Sequence, residues 1–247
     1  GALYGLVALG LSLVFGVMNY LVIAHGALIM MAAYMTFWAF FYLKIDPFLF
    51  ILLVTPAFFV IGWVLFKVLY QSLMKFSEGE KIKNSLLISF GLLLVFPNMA
   101  ILFWTADERA VATAYTGKVF DLFGVRLPYI GLGGVALAII VIIALHLFLT
   151  RTYFGKAIRA VSQDHEAATL MGINVNRVCL VAFSMGFALA GIPGVITSLH
   201  AFNPGISFEL TNKALIVLIL AGFGSIKGVL IGGLLLGALA AAGVYVV

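Results

Sequence analysis

Charged residues are scarce in this sequence. They make up 9% of its 247 residues, against about 25% in a soluble domain. A soluble fold of this composition could not cover its surface with polar groups, so the solvent that suits it is lipid. Cysteine is reduced to Cys179, alone in an apolar run. No internal disulfide can form, and the side chain reads as a small buried hydrophobe. No Gly-x-x-x-x-Gly-Lys-[Ser/Thr] loop is present to cradle a nucleotide phosphate. No His, Cys and carboxylate cluster has metal-ligand spacing. No Ser-His-Asp arrangement or carboxylate pair stands out. Catalysis, a resident metal and a bound cofactor are therefore not expected of this chain. The net charge of +5 lies in a few short connections rather than along one face, so no nucleic-acid surface is indicated.

What is abundant is apolar sequence, 64% of the chain, with a mean hydropathy of +1.22. A membrane span needs about 20 apolar residues. The runs at 1–24, 25–43, 48–70, 84–104, 128–149, 178–200, 213–224 and 228–247 give seven or eight segments. They are long and apolar on every face. Outer-membrane strands would be about 10 residues long and would alternate in polarity. An unpaired backbone group costs several kcal/mol in hydrocarbon, which leaves the helix as the solution. The expected fold is an all-α polytopic membrane bundle, one transmembrane domain over 1–247, with some segments broken or re-entrant. Both ends fall inside apolar runs without an initiator Met or charged leader, and both termini read as incomplete.

Orientation follows from Lys and Arg, which favour cytoplasmic connections. Lys67, Lys75, Lys81 and Lys83 flank one connection, with Glu78 and Glu80 in it. The stretch 150–177 holds Arg151, Lys156, Arg159 and Arg177. Two segments separate these connections, so both lie on one side, the cytoplasmic side. Between them, 105–127 balances Arg109, Lys118 and Arg126 against Asp107, Glu108 and Asp121. It is assigned to the periplasm.

Within 150–177, Asp164 can accept backbone N–H bonds as an N-cap. Glu166 lies near the positive end of the helix dipole. Gly172 can take the left-handed conformation that ends a helix. Ala167, Ala168, Leu170 and Met171 form an apolar surface between the two stops. A two-turn helix on the cytoplasmic side is expected at 164–171.

Polar groups at membrane depth are costly and face the bundle interior. Asn19 and His25 sit between two apolar runs, with Gly26 following. They mark a break between half-helices on a translocation path, or His25 merely caps the second helix. Glu209 and Lys213 are four residues apart, suited to a helix ion pair. Glu209 is alternatively part of an outward site for a zwitterion. His146 and His200 are read as interfacial, and Pro97 and Pro193 as kinks. Gly228-x-x-x-Gly232 and Gly233-x-x-x-Gly237 place small residues on recurring helix faces, as close packing requires.

Several of these features resemble known families. Glu166-Ala-Ala-x-x-x-Gly172 resembles the coupling loop of ABC importer permeases. Gly10-Leu-Ser-Leu-Val-Phe-Gly-Val-Met18 with Asn19, then Ala24-His25-Gly26 and Ala33-Tyr34, looks like the N-terminal signature of branched-chain amino acid permeases of the LivH type. Lys156-x-x-Arg159-Ala-Val-x-Gln-Asp164 leading into Met171-Gly-Ile-Asn174 resembles that family's coupling segment. Phe208-Glu-Leu210 with Lys213, and Gly222-Phe-Gly-Ser-Ile-Lys-Gly228, resemble its C-terminal signature. These cover nearly the whole chain in order. Three departures are Val22-Ile23 where the family usually has Asn-Phe, Ala27 where it is acidic or polar, and Lys227 where proline is common.

The resemblance implies a multi-pass permease of the bacterial inner membrane for branched-chain or related amino acids. It implies a second, paralogous permease subunit, two ABC ATPase subunits that hold the ATP and Mg, and a periplasmic solute-binding protein. Arg159, Asp164, Glu166, Ala167, Ala168, Leu170, Met171 and Gly172 would then couple to the ATPase. Two alternatives stand beside it. One is a related permease for urea, amides, aromatic acids or sugars. The other is an ion-coupled carrier, which would need intramembrane carboxylates, and the long apolar runs hold none. The orientation can be tested in a Cys179→Ala background. An impermeant thiol reagent on intact cells is expected to label Thr113→Cys and to spare Ser77→Cys. Equal labelling of both would overturn the sidedness.

Overall fold

The computed structural model describes residues 1–113, 115–122 and 125–246. Among these residues ten α-helices carry the fold: α1 (Ala2–Met18), α2 (His25–Leu43), α3 (Pro47–Leu65), α4 (Glu78–Trp104), α5 (Tyr129–Arg151), α6 (Tyr153–Gln163), α7 (His165–Leu170), α8 (Val175–Ser198), α9 (Ile206–Ala221) and α10 (Ile226–Val246). Five helices among the described residues are long and apolar enough to cross a membrane, that of α3 running on to Lys75. The extension is a π-turn, Phe66–Tyr70, followed by a 3₁₀ stretch, Gln71–Lys75. A short antiparallel hairpin, β1 (Val119–Leu122) with β2 (Val125–Pro128), sits in the connection before α5. The architecture is an all-α polytopic bundle.

Local chemistry sets the helix starts. Asp46 Oδ1 accepts from Phe48 N at 2.9 Å, with Pro47 in the first turn, where its missing N–H costs nothing. Glu80 Oε2 accepts from the N–H and the hydroxyl of Ser77 at 3.1 and 2.8 Å. This box starts α4 at Glu78, several residues into the charged stretch expected to be a connection. α9 likewise begins at Ile206 rather than near Lys213, so Glu209 and Lys213 share one helix as an ion pair. The expected polar turn over 201–212 is thus half helix, because the pair neutralises itself at i,i+4. α4 and α8 run unbroken through Pro97 and Pro193.

The core is α1, α2 and α8, with α3, α9 and α10 around them. Large apolar side chains of α3, α4 and α5 point outward, among them Leu52, Leu102 and Ile140. Glycines bring the central helices together. A Cβ on Gly10 would strike Gly186 O and would lie 2.7 Å from His25 Cε1. A Cβ on Gly186 would lie 2.9 Å from Gly10 O and would strike Val14. Gly10 is at the middle of α1 and Gly186 at the middle of α8, so α2 starts at mid-height of the bundle.

The two ends of the bundle are chemically distinct. Lys81, near the start of α4, and Glu166 of α7 line one cavity, so both Lys/Arg-rich connections occupy the same end. At the opposite end, Tyr115 donates to Asp46 Oδ2 at 3.1 Å, and Arg109 and Phe202 exchange backbone bonds of 2.9 Å. Burial beside Asp46 pushes the Tyr115 hydroxyl up to about 12.

Gly186→Val is expected to force α8 away from α1, at a cost of about 1–3 kcal/mol or more. Thermal unfolding in detergent should show a clear drop in midpoint. Gly79→Ala, with nothing within 4 Å of the added carbon, should leave the midpoint unchanged or slightly higher. Equal midpoints for the two variants would refute the close contact.

Candidate functional site

The apolar run 1–24 is not one helix. α1 stops at Met18, and Asn19 adopts the left-handed conformation with φ 55°. Asparagine tolerates that conformation better than most side chains. Residues 19–24 then rise, without helix, from the basic end to mid-height. Non-helical backbone at membrane depth survives only where protein supplies its hydrogen bonds. Here hydroxyls supply them. Leu21 N donates to Ser85 Oγ at 3.2 Å, and the Ser89 hydroxyl donates to Leu21 O at 3.0 Å. Thr211 Oγ1 lies 3.1 Å from Ile23 O and 2.7 Å from Ser207 O, one hydroxyl shared between two carbonyls. His25 N closes the segment on Val22 O at 3.2 Å. Ser85 and Ser89 stand one turn apart on one face of α4, as i and i+4 positions do.

The first turn of α2 is enclosed. His25 is buried, and its Nε2 has no hydrogen-bond partner among the described residues. A Cβ on Gly26 would strike Ser207 O and Thr211 Oγ1, so only glycine lets α2 and α9 approach this closely.

At the basic end, α7 is stopped at both ends. Asp164 Oδ1 accepts from Glu166 N and Ala167 N at 2.8 and 2.9 Å. Gly172 has φ +82°, its N–H donates to Thr169 O at 2.9 Å, and Ile173 N donates to Ala168 O at 3.0 Å. That pair of bonds is a Schellman stop. Ala168 faces inward, while Leu170 is 88% and Met171 82% exposed. Two large apolar side chains are thus held out to solvent on a short helix capped at both ends. Arg159 is exposed on α6, one helix earlier. Beneath α7 lies a cavity of about 470 Å³ walled by Met18, Lys81, His165, Glu166, Leu170 and Cys179.

His165 joins the two regions. Its Nε2 lies 2.8 Å from Val17 O. A carbonyl only accepts, so the imidazole donates. The bond pins α7 to the last turn of α1, two residues before the left-handed Asn19.

Of the residues expected on a path, Asn19 and His25 do not meet. Asn19 is exposed at the basic end near Asp164 and His165, and His25 is sealed at mid-height. Glu209 is exposed and paired with Lys213. The four packing glycines divide between two neighbours. A Cβ on Gly228 or Gly232 would press on α9, and one on Gly233 or Gly237 on α1. Ser85, Ser89, Thr211, His165, Gly10 and Gly186 escaped the reading of the sequence. The i,i+4 serine pair on an otherwise apolar helix was the available signal for two of them.

A bundle of long apolar helices, with one segment unwound between its basic end and mid-height, has the architecture of a multi-pass membrane protein. The chain belongs to the family described as branched-chain amino acid transport system / permease component, which matches residues 1–247. It is 31% identical to the high-affinity branched-chain amino acid transport system permease protein BraD of Pseudomonas aeruginosa, over 96% of this chain and 80% of that protein. Identity to the high-affinity branched-chain amino acid transport system permease protein LivH of Escherichia coli is 27%, with the same coverage. The ribose import permease protein RbsC of Bacillus subtilis is 30% identical over 59% of this chain and 47% of its own length. No solved structure matches the chain.

His165→Ala is expected to loosen the join. One hydrogen bond is worth about 0.5–1.5 kcal/mol net, so amide exchange across 17–25 should rise roughly two- to tenfold by hydrogen-exchange mass spectrometry. His165→Gln, whose amide N–H can reach the same carbonyl, should stay near the parent. Unchanged exchange in the alanine variant would show that the join bears no strain.

Proposed function

We propose that this chain is the membrane permease of a bacterial inner-membrane importer for branched-chain or related aliphatic amino acids, driven by ATP. The observation that carries the reading is α7, capped by Asp164 and stopped by Gly172, which holds Leu170 and Met171 out at the basic end of a membrane bundle. Nothing inside the chain needs that surface. A soluble ATPase with an apolar groove does. Family membership and the BraD and LivH relatives support the choice of solute class.

In this reading two ATPase subunits hold ATP and Mg and grip α7 with Arg159, Glu166, Ala167, Leu170 and Met171. A second permease subunit covers part of the outward apolar surface. A solute-binding protein delivers at the opposite, periplasmic end. Movement of α7 passes through His165 to the end of α1, and from there into the unwound segment at Asn19. The first turn of α2, His25 and Gly26, is the part at mid-height that such movement would expose. Passage beside His25 requires the Gly10–Gly186 contact to open, since the imidazole is sealed in this conformation. Glu209 remains the candidate for the outer mouth.

The test is uptake by proteoliposomes holding the full assembly and its binding protein. Leucine, isoleucine and valine are expected to accumulate with internal ATP, to stop with vanadate, and to continue when ionophores collapse ion gradients. Loss with ionophore alone would favour an ion-coupled carrier, and uptake of ribose or xylose instead would move the solute class. Gly172→Val should lower uptake at least tenfold and reduce co-purification of the ATPase. A β-branched residue at φ +82° costs roughly 1–2 kcal/mol, and the stop is lost. Normal uptake and ATPase recovery in that variant would remove α7 as the coupling element.

A further inference from the structure

A second cavity at the basic end shares only Arg159 with the residues assigned to the ATPase contact. It holds about 390 Å³ between the ends of α1 and α5, one side of α6 and the turn joining α9 to α10. Arg159, Lys227 and His146 line it, with the hydroxyls of Thr150, Ser162 and Ser225. No carboxylate lines it among the described residues. The carboxylate of Asp164, in the adjoining cavity, is occupied with the N-terminus of α7.

Two observations point to an anion here. Ser12 forms part of the wall, is fully buried, and its hydroxyl has no partner among the described residues. A buried hydroxyl without a partner is costly, and a bound acceptor would satisfy it. Lys227 occupies the first turn of α10, where the helix dipole disfavours a cation and attracts an anion.

The surroundings decide which anion. The pocket sits towards the basic ends of the helices and is lined on one side by α5. There Ile143 and Leu147, 53% and 49% exposed, continue the surface of His146 and Thr150 towards the bilayer interior. Tyr153 and Phe154 stand exposed at the start of α6, as aromatic residues do at a membrane interface. A free phosphate would use the cations and leave that apolar track bare. A lipid would use both.

We propose that this cavity binds the phosphate headgroup of one anionic phospholipid, with Lys227 and Arg159 as its cationic contacts, Ser12 as a hydroxyl donor, and the acyl chains along α5. Basic pockets between spans at the cytoplasmic side are suited to such headgroups.

The experiment is native mass spectrometry of the purified assembly in mild detergent, titrated with phosphatidylglycerol and, separately, phosphatidylcholine. Retention of phosphatidylglycerol over phosphatidylcholine is expected. Each cation near an anionic headgroup contributes about a fivefold factor. Lys227→Gln should therefore weaken retention about fivefold, and Lys227→Gln with Arg159→Gln about 25-fold. Lys227→Arg should keep it. Unfolding midpoints monitor the fold, and Lys227→Gln alone decides if the double variant is unstable. Equal retention in Lys227→Gln overturns the proposal. So does displacement of phosphatidylglycerol by millimolar inorganic phosphate, which would make this a free-anion site. The readout is bound lipid, so it stands or falls independently of which solute is carried.

Discussion

The structure depends on keeping six residues of backbone unwound inside an apolar bundle. Residues 19–24 lack the regular bonding of a helix, and each backbone group left unmet in hydrocarbon costs several kcal/mol. Ser85 and Ser89 on α4 and Thr211 on α9 meet that need from two sides. This requirement places α4 and α9 against the segment. It also lets α2 begin at mid-height, where its first turn packs against the centres of α1 and α8. The glycines follow from the same constraint. With α2 starting there, Gly10, Gly26 and Gly186 must give up their side chains so that three helices and an imidazole can share one level.

A mechanical line runs out from this centre. The unwound segment begins at a left-handed Asn19, just after the carbonyl that His165 holds. His165 belongs to α7, which two local stops make rigid despite its shortness. An isolated two-turn helix is marginal in water, so the caps and the buried side chain of Ala168 are what hold α7 in shape. The hydroxyl bonds to 19–24 are each of modest net strength.

Much of the coupling element was legible in the residues. Asp164 and Gly172 act within a few positions of themselves, so cap chemistry reads directly from spacing. The two basic connections sharing one end also followed from charge. The interruption near Asn19 was visible as polarity at depth, but its extent was not. Tyr20 to Ile23 are apolar, and an apolar run looks the same whether it is helix or buried strand-like chain. The start of α9 was misplaced for the converse reason. Their spacing offered Glu209 and Lys213 as a helix pair, but the apolar run that marked the segment began only at Lys213, while the helix starts at Ile206.

The sequence by itself determined the solvent, the helical class, the sidedness of charge and the stops of α7, because each depends on composition or on contacts a few residues apart. Only the tertiary structure decided which side chains serve the unwound segment. Ser85 and Ser89 lie more than 60 positions from Leu21, and Thr211 lies 188 from Ile23. It alone separated Asn19 from His25, sealing one at mid-height and leaving the other beside α7. It alone showed that His165 holds a carbonyl 148 positions away. A hydrogen bond recognises a distance in space, and no local pattern of residues records which distant carbonyl will lack a donor.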